Sequence, residues 1–261
     1  MLLTVDIGNT NIHIGLFEDN RLRHQWRLST DVRRSPDEYR ALLTVLAGSE
    51  GVALTGAVTG VAIGSVVPAL TETWQRLCRQ WWRREALLMD VSLDLGMDVR
   101  VREPRRVGVD RLLNALAARA QWGAPCIVLD FGTATKFDVV GPDGAFLGGA
   151  IAPGLQTAAE ALVRHTAQLP RIPLVAPAGP IGDDTVSAMQ AGIVLGYIDL
   201  VEGLLRRIRA TLARPAPVIA TGGLAGLWRD LTTTIDHYEP TLTLQGLRLV
   251  YERNGGLIRS L

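Results

Sequence analysis

The chain has 261 residues, of which 48% are hydrophobic and 20% are charged, and its formal net charge is +1. That length and composition exclude a disordered chain and leave room for one large domain or two modest ones. Because the charge is close to zero, the composition gives no reason to expect nucleic acid or an acidic membrane surface as a partner.

Apolar periodicity and turn residues predict strands and helices that alternate along the chain. Strands are expected at residues 2–6, 11–17, 60–67, 86–89, 126–130, 135–140, 218–220 and 242–244. Helices are expected at residues 37–47, 71–84, 111–121, 157–163 and 184–209, with a terminal helix that begins at 247. Strand hairpins followed by helices, present twice, indicate an α/β protein of two similar lobes.

Residues 2–20 and 126–144 share one pattern. Each has a short apolar strand that ends in an aspartate, a glycine-containing turn, an alternating strand and a hairpin turn. The aspartates are Asp6 and Asp130, and a second aspartate follows each after the same interval, so the copies align without a gap. Because ligands bind beyond the carboxyl ends of such strands, facing lobes would point both turns into one cleft. The alternative is a single α/β domain in which the two turns are ordinary loop residues.

The turns that follow Asp6 and Asp130 suit a phosphate group. A glycine in each turn lets backbone N–H groups approach a phosphate closely. Neutral hydrogen-bond donors are supplied by Asn9, Thr10, Thr133 and Thr135. The two carboxylates would repel a phosphate, so we expect them to hold cations or cation-bound waters that bridge to it. A third buried strand runs into residues 221–223, where a nucleobase or ribose could lie against bare backbone.

Asp110 allows two interpretations. It precedes a predicted helix, so it could be the N-cap of that helix, a role worth about 1 kcal/mol. It could also be a base that accepts the proton of an attacking hydroxyl, while Arg111 holds an anionic group. The two roles are compatible, because an N-cap carboxylate can also face a cleft. Residues 182–185, which end in Thr185, are likewise either a helix start or a hydroxyl donor to a substrate.

Several common motifs are absent from the sequence. Cys78 and Cys126 form no CxxC pair and the four histidines lack ligand spacing, so we expect buried thiols, no disulfide and no zinc site. Lys136 is the only lysine, which excludes a GxxxxGK[ST] phosphate loop. Residues 1–6 lack a basic region, and no apolar run approaches the roughly 18 residues that span a bilayer. We therefore expect a soluble, cytoplasmic protein without membrane contact.

Taken in order and spacing, these motifs resemble those of the type III pantothenate kinase family, which belongs to the acetate and sugar kinase, Hsp70 and actin superfamily. The resemblance covers nearly the whole chain, through residues 6–10, 64–68, 104–111, 130–135, 148–154, 182–185 and 221–223. It implies a duplicated actin-like (ribonuclease H-like) α/β fold with an ATP cleft between two lobes. The lobes would be residues 1–115 and 116–261, and the terminal helix could pack back on the first lobe.

The resemblance implies transfer of the ATP γ-phosphate to the primary hydroxyl of pantothenate, the first step toward coenzyme A, with Mg²⁺ as cofactor. Asp110 would be the general base, and Asp130 would hold a monovalent cation, potassium or ammonium. The ATP phosphates would be bound by Asp6, Ile7, Gly8, Asn9, Thr10, Asn11, Ile12, His13 and Thr133. Pantothenate would be bound by Val101, Gly108, Val109, Asp110, Arg111 and Thr185. Members of the family are homodimers with substrate bound near the interface, so the resemblance implies a homodimer.

Two residues depart from the family pattern. The family usually has a tyrosine nine residues before the catalytic aspartate, where this chain has Val101, so a substrate contact is lost or supplied differently. The family also commonly has threonine at the position of Lys136. In the simpler interpretation, Lys136 is a strand residue that faces solvent. In the other interpretation, its ammonium lies near Asp130 and replaces the potassium ion.

The sequence is also compatible with three other functions. The chain could be a non-catalytic nucleotide-binding regulatory or accessory protein of the same fold, for which Val101 is the best support. It could be another phosphotransferase, acting on a sugar, acetate or polyphosphate, although those enzymes are generally longer. It could also be a pure interaction module. Such a module would not require three aspartates, Asp6, Asp110 and Asp130, and several glycine turns aimed at one cleft.

Overall fold

The computed structural model describes residues 1–223 and 232–255. Over these residues the chain divides into two compact units. Unit 1 comprises Met1–Ala117 together with the terminal segment from Thr241, and unit 2 comprises Ala118–Pro240. Each unit contains its own five-stranded sheet with helices packed on it. The mixed α/β class predicted from the sequence is therefore confirmed.

The elements are numbered in chain order. The strands are β1 (Leu2–Ile7), β2 (Asn11–Glu18), β3 (Arg21–Ser29), β4 (Gly60–Ser65), β5 (Leu87–Leu88), β6 (Cys126–Phe131), β7 (Ala134–Val140), β8 (Phe146–Pro153), β9 (Val218–Thr221) and β10 (His237–Tyr238). The α-helices are α1 (Pro36–Ser49), α2 (Leu54–Ala57), α3 (Pro68–Trp82), α4 (Val109–Trp122), α5 (Leu155–Arg164), α6 (Thr185–Gln190), α7 (Gly196–Arg209) and α8 (Leu242–Arg253). A 3₁₀ turn at Pro104–Arg106 precedes α4, and a π-helical segment at Ala191–Leu195 joins α6 to α7.

The sheet of unit 1 has the order β3-β2-β1-β4-β5. Its central strand, β1, runs antiparallel to β2 and parallel to β4. Leu3, Val5 and Ile7 are fully buried in a core shared with α1 and α3, as the two-residue period of a strand requires. Helix α1 is fixed at its start by a capping box, in which the Ser35 and Glu38 side chains each accept a hydrogen bond from the other residue's backbone N–H.

Helix α8 packs on β1, β2 and β4 of this sheet, and β2 and β4 carry glycine where they meet it. A Cβ at Gly15 would lie 3.1 Å from Cδ1 of Leu244, and a Cβ at Gly64 would lie 3.4 Å from Cδ2 of Leu247. Because glycine has no side chain, it lets the helix approach the strands at these positions. The terminal helix thereby becomes part of unit 1.

The sheet of unit 2 has the order β10-β9-β6-β7-β8, with β6 antiparallel to β7 and parallel to β9. Alternate residues of β6, namely Ile127, Leu129 and Phe131, are buried in a core shared with α7. On the helical side, the buried residues recur every three or four positions: Val194, Tyr197, Val201 and Leu205. This spacing is that of an amphipathic helix with one face on a sheet.

The two sheets repeat one hairpin and parallel-strand arrangement, but their turns differ in length. Asp6 lies opposite His13 in the β1–β2 pair, whereas Asp130 lies opposite Lys136 in the β6–β7 pair. The second partner is one residue nearer to its aspartate, so the expected gap-free alignment of the copies is wrong. Because cross-strand partners share a face of the sheet and neighbouring residues alternate, this shift puts Lys136 on the same face as Asp130.

The helices and strands predicted from the sequence begin and end within three residues of the observed bounds, except at the C-terminus, where α8 begins five residues before the expected 247. The strand expected at 242–244 is wrong, because those residues form the first turn of α8. Leu242 and Leu244 alternate as in a strand, but both are buried together with Leu247 on the helix. Strands β3, β8 and β10 and the short helix α2 lie outside the sequence-based expectations.

Within the described residues, one helical stretch, Thr185–Arg209, is long and apolar enough to cross a membrane by length and composition alone. Its most apolar window is one-third buried. The stretch also carries Asp199 and Glu202, so a search for an unbroken apolar run does not detect it. A core helix of a water-soluble protein can pass the same test, so a single helix of this kind is weak support for a membrane span.

Cys78 and Cys126 are both free and fully buried, which confirms the prediction of buried thiols. Burial raises the pKa of each thiol to about 12, because apolar surroundings disfavour the charged thiolate. Neither cysteine is therefore suited to act as a nucleophile.

The contact between α8 and α4 provides a test of the unit 1 core. A Cβ at Gly246 would collide with the carbonyl oxygen of Leu113, so Gly246→Ala should lower the free energy of unfolding by about 1–3 kcal/mol through overpacking. At Gly203 in α7, a Cβ would meet only the side chain of Arg206, at 4.0 Å. Gly203→Ala should therefore stabilise the protein by about 0.5–1 kcal/mol. Urea denaturation followed by circular dichroism measures both changes, and effects of the same sign would contradict the close helix contact.

Candidate active site

The turn after Asp6 joins β1 to β2. The backbone N–H of Gly8 donates to the carbonyl oxygen of Asn11 at 3.0 Å. A Cβ at Gly8 would lie 3.1 Å from that same oxygen, so a larger residue would crowd the turn. The Thr30 hydroxyl donates to the carbonyl oxygen of Gly8 at 2.7 Å. Hydrogen bonds within the turn and from Thr30, the residue after β3, thus hold the turn.

The predicted phosphate-binding residues of this first turn differ in what they can offer a ligand. Asn9 and Thr10 are exposed at its tip, and the half-buried residues are Asp6, Gly8, Asn11 and His13. Ile7 and Ile12 are fully buried in the core, so only their backbone could meet a nucleotide. The groups suited to a phosphate are therefore the backbone N–H groups of the turn and the side chains at its tip.

The equivalent turn of unit 2, at residues 132 and 133, rests on the start of α5. The backbone N–H of Gly154 and the hydroxyl of Thr157 both donate to the carbonyl oxygen of Thr133, at 3.0 and 2.7 Å. Thr133 is exposed at the tip of the turn, as a residue that contacts ATP must be. The role of Thr157 in holding the turn was not apparent from the sequence, since the two threonines are far apart along the chain.

Thr135 does not lie where a phosphate donor would be expected. It pairs with Phe131 across the β6–β7 hairpin and is fully buried. Its hydroxyl is hydrogen-bonded to that of Tyr197 on α7. The suggestion that Thr135 donates to a phosphate is therefore wrong, because its polar group is used inside the core of unit 2.

Asp130, at the end of β6, is paired with Lys136 on β7. The Lys136 ammonium donates to Oδ2 of Asp130 at 2.7 Å, and the side chains of the lysine and the aspartate are 18% and 13% exposed. The simpler interpretation, in which Lys136 faces solvent, is therefore wrong. The part of the other interpretation that places the ammonium near Asp130 is confirmed, and the ion pair follows from the one-residue register shift.

Asp110 lies in the first turn of α4, which begins at Val109. The backbone N–H groups of Arg111 and Leu112 point to the carbonyl oxygen of Gly108, at 3.1 and 3.5 Å. Gly108, and not Asp110, is therefore at the N-cap position, and the capping interpretation of Asp110 is wrong. A Cβ at Gly108 would lie 2.5 Å from Oδ1 of Asp110, so any larger residue would displace the carboxylate.

The other residues predicted to bind pantothenate lie in three places. Val101 is half-buried in the loop before the 3₁₀ turn, and Val109 and Arg111 are half-buried in the first turn of α4. Thr185 is the exposed first residue of α6, whose N-cap is Asp184. The backbone N–H of Ser187 donates to Asp184 at 2.8 Å and lowers the pKa of that carboxyl. Residues 182–185 are thus a helix start, and the Thr185 hydroxyl is exposed beside it.

In each unit, an aspartate at the end of the central strand is opposed by a residue of a parallel strand. Asp6 is aligned with Gly64 on β4, and Asp130 is aligned with Thr221 on β9. These are the carboxyl ends at which ligands bind in such sheets. In residues 1–223 and 232–255, no group of three or more His, Cys, Asp or Glu side chains could hold a metal ion.

A family model described as type III pantothenate kinase matches residues 2–207. The chain belongs to the type III pantothenate kinase family. A type III pantothenate kinase from Thermomicrobium roseum is 51% identical over 253 residues, which are 97% of each chain. Another from Acidiphilium cryptum is 48% identical over 254 residues, which are 97% of this chain and 95% of the relative.

Solved structures share the fold at much lower sequence identity. A Campylobacter jejuni protein described as a Baf family transcriptional activator has a TM-score of 0.61 and 16% identity, covering 98% of this chain and 100% of its own. A Sinorhizobium meliloti protein described as a 2-dehydro-3-deoxygalactonokinase has a TM-score of 0.58 and 13% identity. The match covers 97% of this chain and 98% of that protein. These likenesses show the actin-like fold and confirm the predicted fold class.

The contact between α5 and the second turn can be tested at Gly154. A Cβ there would collide with the carbonyl oxygen of Gly132 and lie 2.6 Å from that of Thr133, so Gly154→Ala should displace the turn. We expect the Kd for ATP to rise about tenfold or more, equivalent to about 1.4 kcal/mol, as measured by isothermal titration calorimetry. Gly192→Ala is the matched control, because a Cβ there meets no atom within 4 Å. If both variants bind ATP equally well, the second turn does not bind the nucleotide.

Proposed function

We propose that the chain is a pantothenate kinase that uses ATP to phosphorylate the primary hydroxyl of pantothenate and yields 4'-phosphopantothenate, the first step toward coenzyme A. The observation that carries the proposal is the Asp110 carboxylate in the first turn of α4, between Gly108 and Arg111. The proposal is supported by 51% identity to a type III pantothenate kinase over nearly the full length. Phosphoryl transfer to an alcohol requires a base, an anchor for the substrate and a phosphate-binding turn, and residues suited to each are present.

Asp110 would act as the general base. It would accept the proton of the pantothenate hydroxyl as the hydroxyl oxygen forms a bond to the γ-phosphorus. The bond from that phosphorus to the β,γ-bridging oxygen breaks, and ADP leaves with the electron pair. Asp110 lies in the first turn of α4 and is half-buried, so its carboxylate is held in place by the helix backbone.

The turns after β1 and β6 would bind the ATP phosphates through backbone N–H groups and through Asn9, Thr10 and Thr133. When bound, Mg²⁺ supplies neutralisation of the charge on the β- and γ-phosphates. The half-buried Asp6 carboxylate, next to the first turn, is suited to hold that ion or one of its waters. Positioning and charge neutralisation account for most of the rate of phosphoryl transfer, so these turns would contribute as much as the base.

Pantothenate carries a carboxylate, which Arg111 is suited to bind. A guanidinium can bind a carboxylate through two parallel hydrogen bonds, which fixes orientation as well as distance. Arg111 directly follows Asp110 in α4, so an anchored substrate would be held close to the proposed base. Val101 supplies an apolar surface where the family usually has a tyrosine hydroxyl. Arg111 and Thr185 would therefore supply the polar contacts to pantothenate.

We further propose that the protein is a cytoplasmic homodimer. The α6–α7 stretch is apolar, yet its most apolar window is only one-third buried. Other large apolar side chains are exposed in unit 2, namely Leu147, Ile151, Leu162, Val175 and Ile181. Exposed apolar surface of this kind is typical of protein–protein interfaces. A second copy that covers it would account for the apolar helix without a membrane.

A non-catalytic nucleotide-binding homologue is the second candidate. It is favoured by Val101, which removes a hydroxyl from the proposed pantothenate site. Both the kinase and the non-catalytic homologue would bind the nucleotide, but only the kinase would turn it over.

Assays of ATP consumption by the purified protein with Mg²⁺, in the presence and absence of pantothenate, test the proposal. We expect consumption that depends on pantothenate and a product with the mass of 4'-phosphopantothenate. ATP binding without product would favour the non-catalytic candidate. Consumption with a sugar or acetate, and not with pantothenate, would favour another phosphotransferase.

Replacement of the base provides a sharper test. Asp110→Asn should lower kcat by about 10²–10⁴-fold and change the free energy of unfolding by less than about 1 kcal/mol, because Asp110 is not the helix cap. Asp37→Asn is the matched control, since Asp37 also lies in a first helical turn, that of α1, with a side chain that is 80% exposed. It should leave kcat unchanged. A loss of stability in Asp110→Asn without a selective loss of kcat would contradict a role as base.

A further inference from the structure

The carboxylate of Asp130 already holds a cation that belongs to the chain itself. Nζ of Lys136 lies 2.7 Å from Oδ2 of Asp130, and both side chains are largely buried. Lys136 is the only lysine of the sequence, in which every other basic residue that carries a permanent charge is an arginine. A lysine ammonium is a compact point charge, unlike the planar guanidinium of arginine. Of the basic side chains, it is therefore the one that best replaces a monovalent metal ion.

The backbone determines where the ammonium lies. Asp130 and Lys136 are directly opposed across β6 and β7, an arrangement that places their Cβ atoms about 5 Å apart on one face of the sheet. Asp138, two residues further along β7, shares that face and is fully buried. Lys136 thus lies on a face that carries two carboxyl groups, and the ammonium contacts that of Asp130.

Little space remains at Asp130 for a metal ion. A Cβ at Gly222 would lie 2.7 Å from Oδ1 of Asp130, and a Cβ at Gly132 would lie 3.8 Å from it. The backbone of these two glycines therefore lines one carboxylate oxygen, while the Lys136 ammonium contacts the other. A potassium ion would have to displace the ammonium to reach Oδ2. The residues present do not fit a bound monovalent metal ion, although the family resemblance implies one.

A tethered ammonium has an advantage over a dissolved ion. Both carry one positive charge, but the strand already holds the lysine beside its partner, whereas a free ion loses translational freedom when it binds. Separation of a partly buried pair also leaves an uncompensated charge on Asp130. Competition at Oδ2 therefore favours the side chain over potassium.

We propose that the ammonium of Lys136 replaces the monovalent cation at Asp130, so that nucleotide binding and turnover in this chain do not depend on potassium. The ion pair neutralises Asp130 beside the turn at Gly132, where a bare carboxylate would repel a phosphate. An ammonium has three hydrogen-bond donors, so it can contact Asp130 and another acceptor at once. This proposal rests on the proposed function only in one respect, namely which reaction is measured as turnover. The replacement of potassium by Lys136 does not depend on the identity of the substrate.

The unmodified chain should respond equally to sodium and potassium chloride at equal ionic strength. We expect the same Kd for ATP, the same melting temperature with bound ADP and the same rate of ATP consumption in both salts. A rate or an affinity that is about tenfold higher in potassium would overturn the proposal. The binding and melting measurements require no turnover, so they remain decisive if pantothenate is not the substrate.

Lys136→Thr removes the ammonium and leaves the carboxylate of Asp130. In sodium we expect its affinity for ATP to fall about tenfold or more, because a partly buried charge loses its partner. Potassium or ammonium chloride should then restore the affinity. Lys136→Gln preserves much of the side-chain length and repeats the test if the threonine variant is unstable. A folded variant of either kind that does not respond to potassium would contradict the proposal.

The double variant Lys136→Thr with Asp130→Asn is the matched control. It has neither the ammonium nor the carboxylate, so its affinity for ATP and its melting temperature should not depend on potassium. A response to potassium that persists in the double variant would place the ion elsewhere and overturn the assignment to Asp130.

The single lysine also permits a direct measurement on the unmodified chain. Amine-directed acetylation followed by peptide mass spectrometry reports, among the side chains, on Lys136 alone. We expect slow acetylation at equal rates in sodium and potassium, because the ammonium remains paired in both. Faster acetylation in potassium would mean that the ion displaces the ammonium, which would also overturn the proposal.

Discussion

The alternation of side chains along β1 and β6, the central strands of the two sheets, determines the position of Asp6 and Asp130 and of the proposed nucleotide-binding turns that follow them. On one face, residues such as Val5 and Leu129 are fully buried in the core. A slip of one residue would exchange the faces and place Asp6 or Asp130 in that core, where an unpaired carboxylate is strongly unfavourable. Each aspartate is therefore held at the carboxyl end of its strand, and the glycine turn that follows begins at a defined point.

This constraint is local, and for that reason much of the fold could be predicted from the sequence. An apolar run that stops at a carboxylate and continues into a glycine turn indicates a strand end without any knowledge of tertiary contacts. The start of α8 could not be predicted in the same way. Leu242 and Leu244 alternate as in a strand, and the room for leucines of the helix is provided by Gly15 and Gly64, which are distant in sequence.

Within the site, the sequence indicated the residue types but not their partners. Whether Asp110 caps α4 depends on a shift of two residues in the helix start, a difference that propensity and pattern do not resolve. The carbonyl of Gly108 accepts the first helical hydrogen bonds of α4, so Gly108 takes the N-cap position and Asp110 lies in the first turn. Thr135 is a similar case, since its hydroxyl is satisfied by Tyr197, a residue that no local pattern connects to it.

Lys136 shows how much depends on a single residue of register. In a gap-free alignment of the two copies, it corresponds to Ile12, which is fully buried in the core of unit 1. The shorter second turn instead brings Lys136 opposite Asp130. Ordering its side chain costs about 2 kcal/mol of rotamer entropy, but that cost arises once, when the chain folds, and not each time that a free ion binds. A charge fixed in this way is part of the sheet, and it is present whatever the ionic composition of the solution.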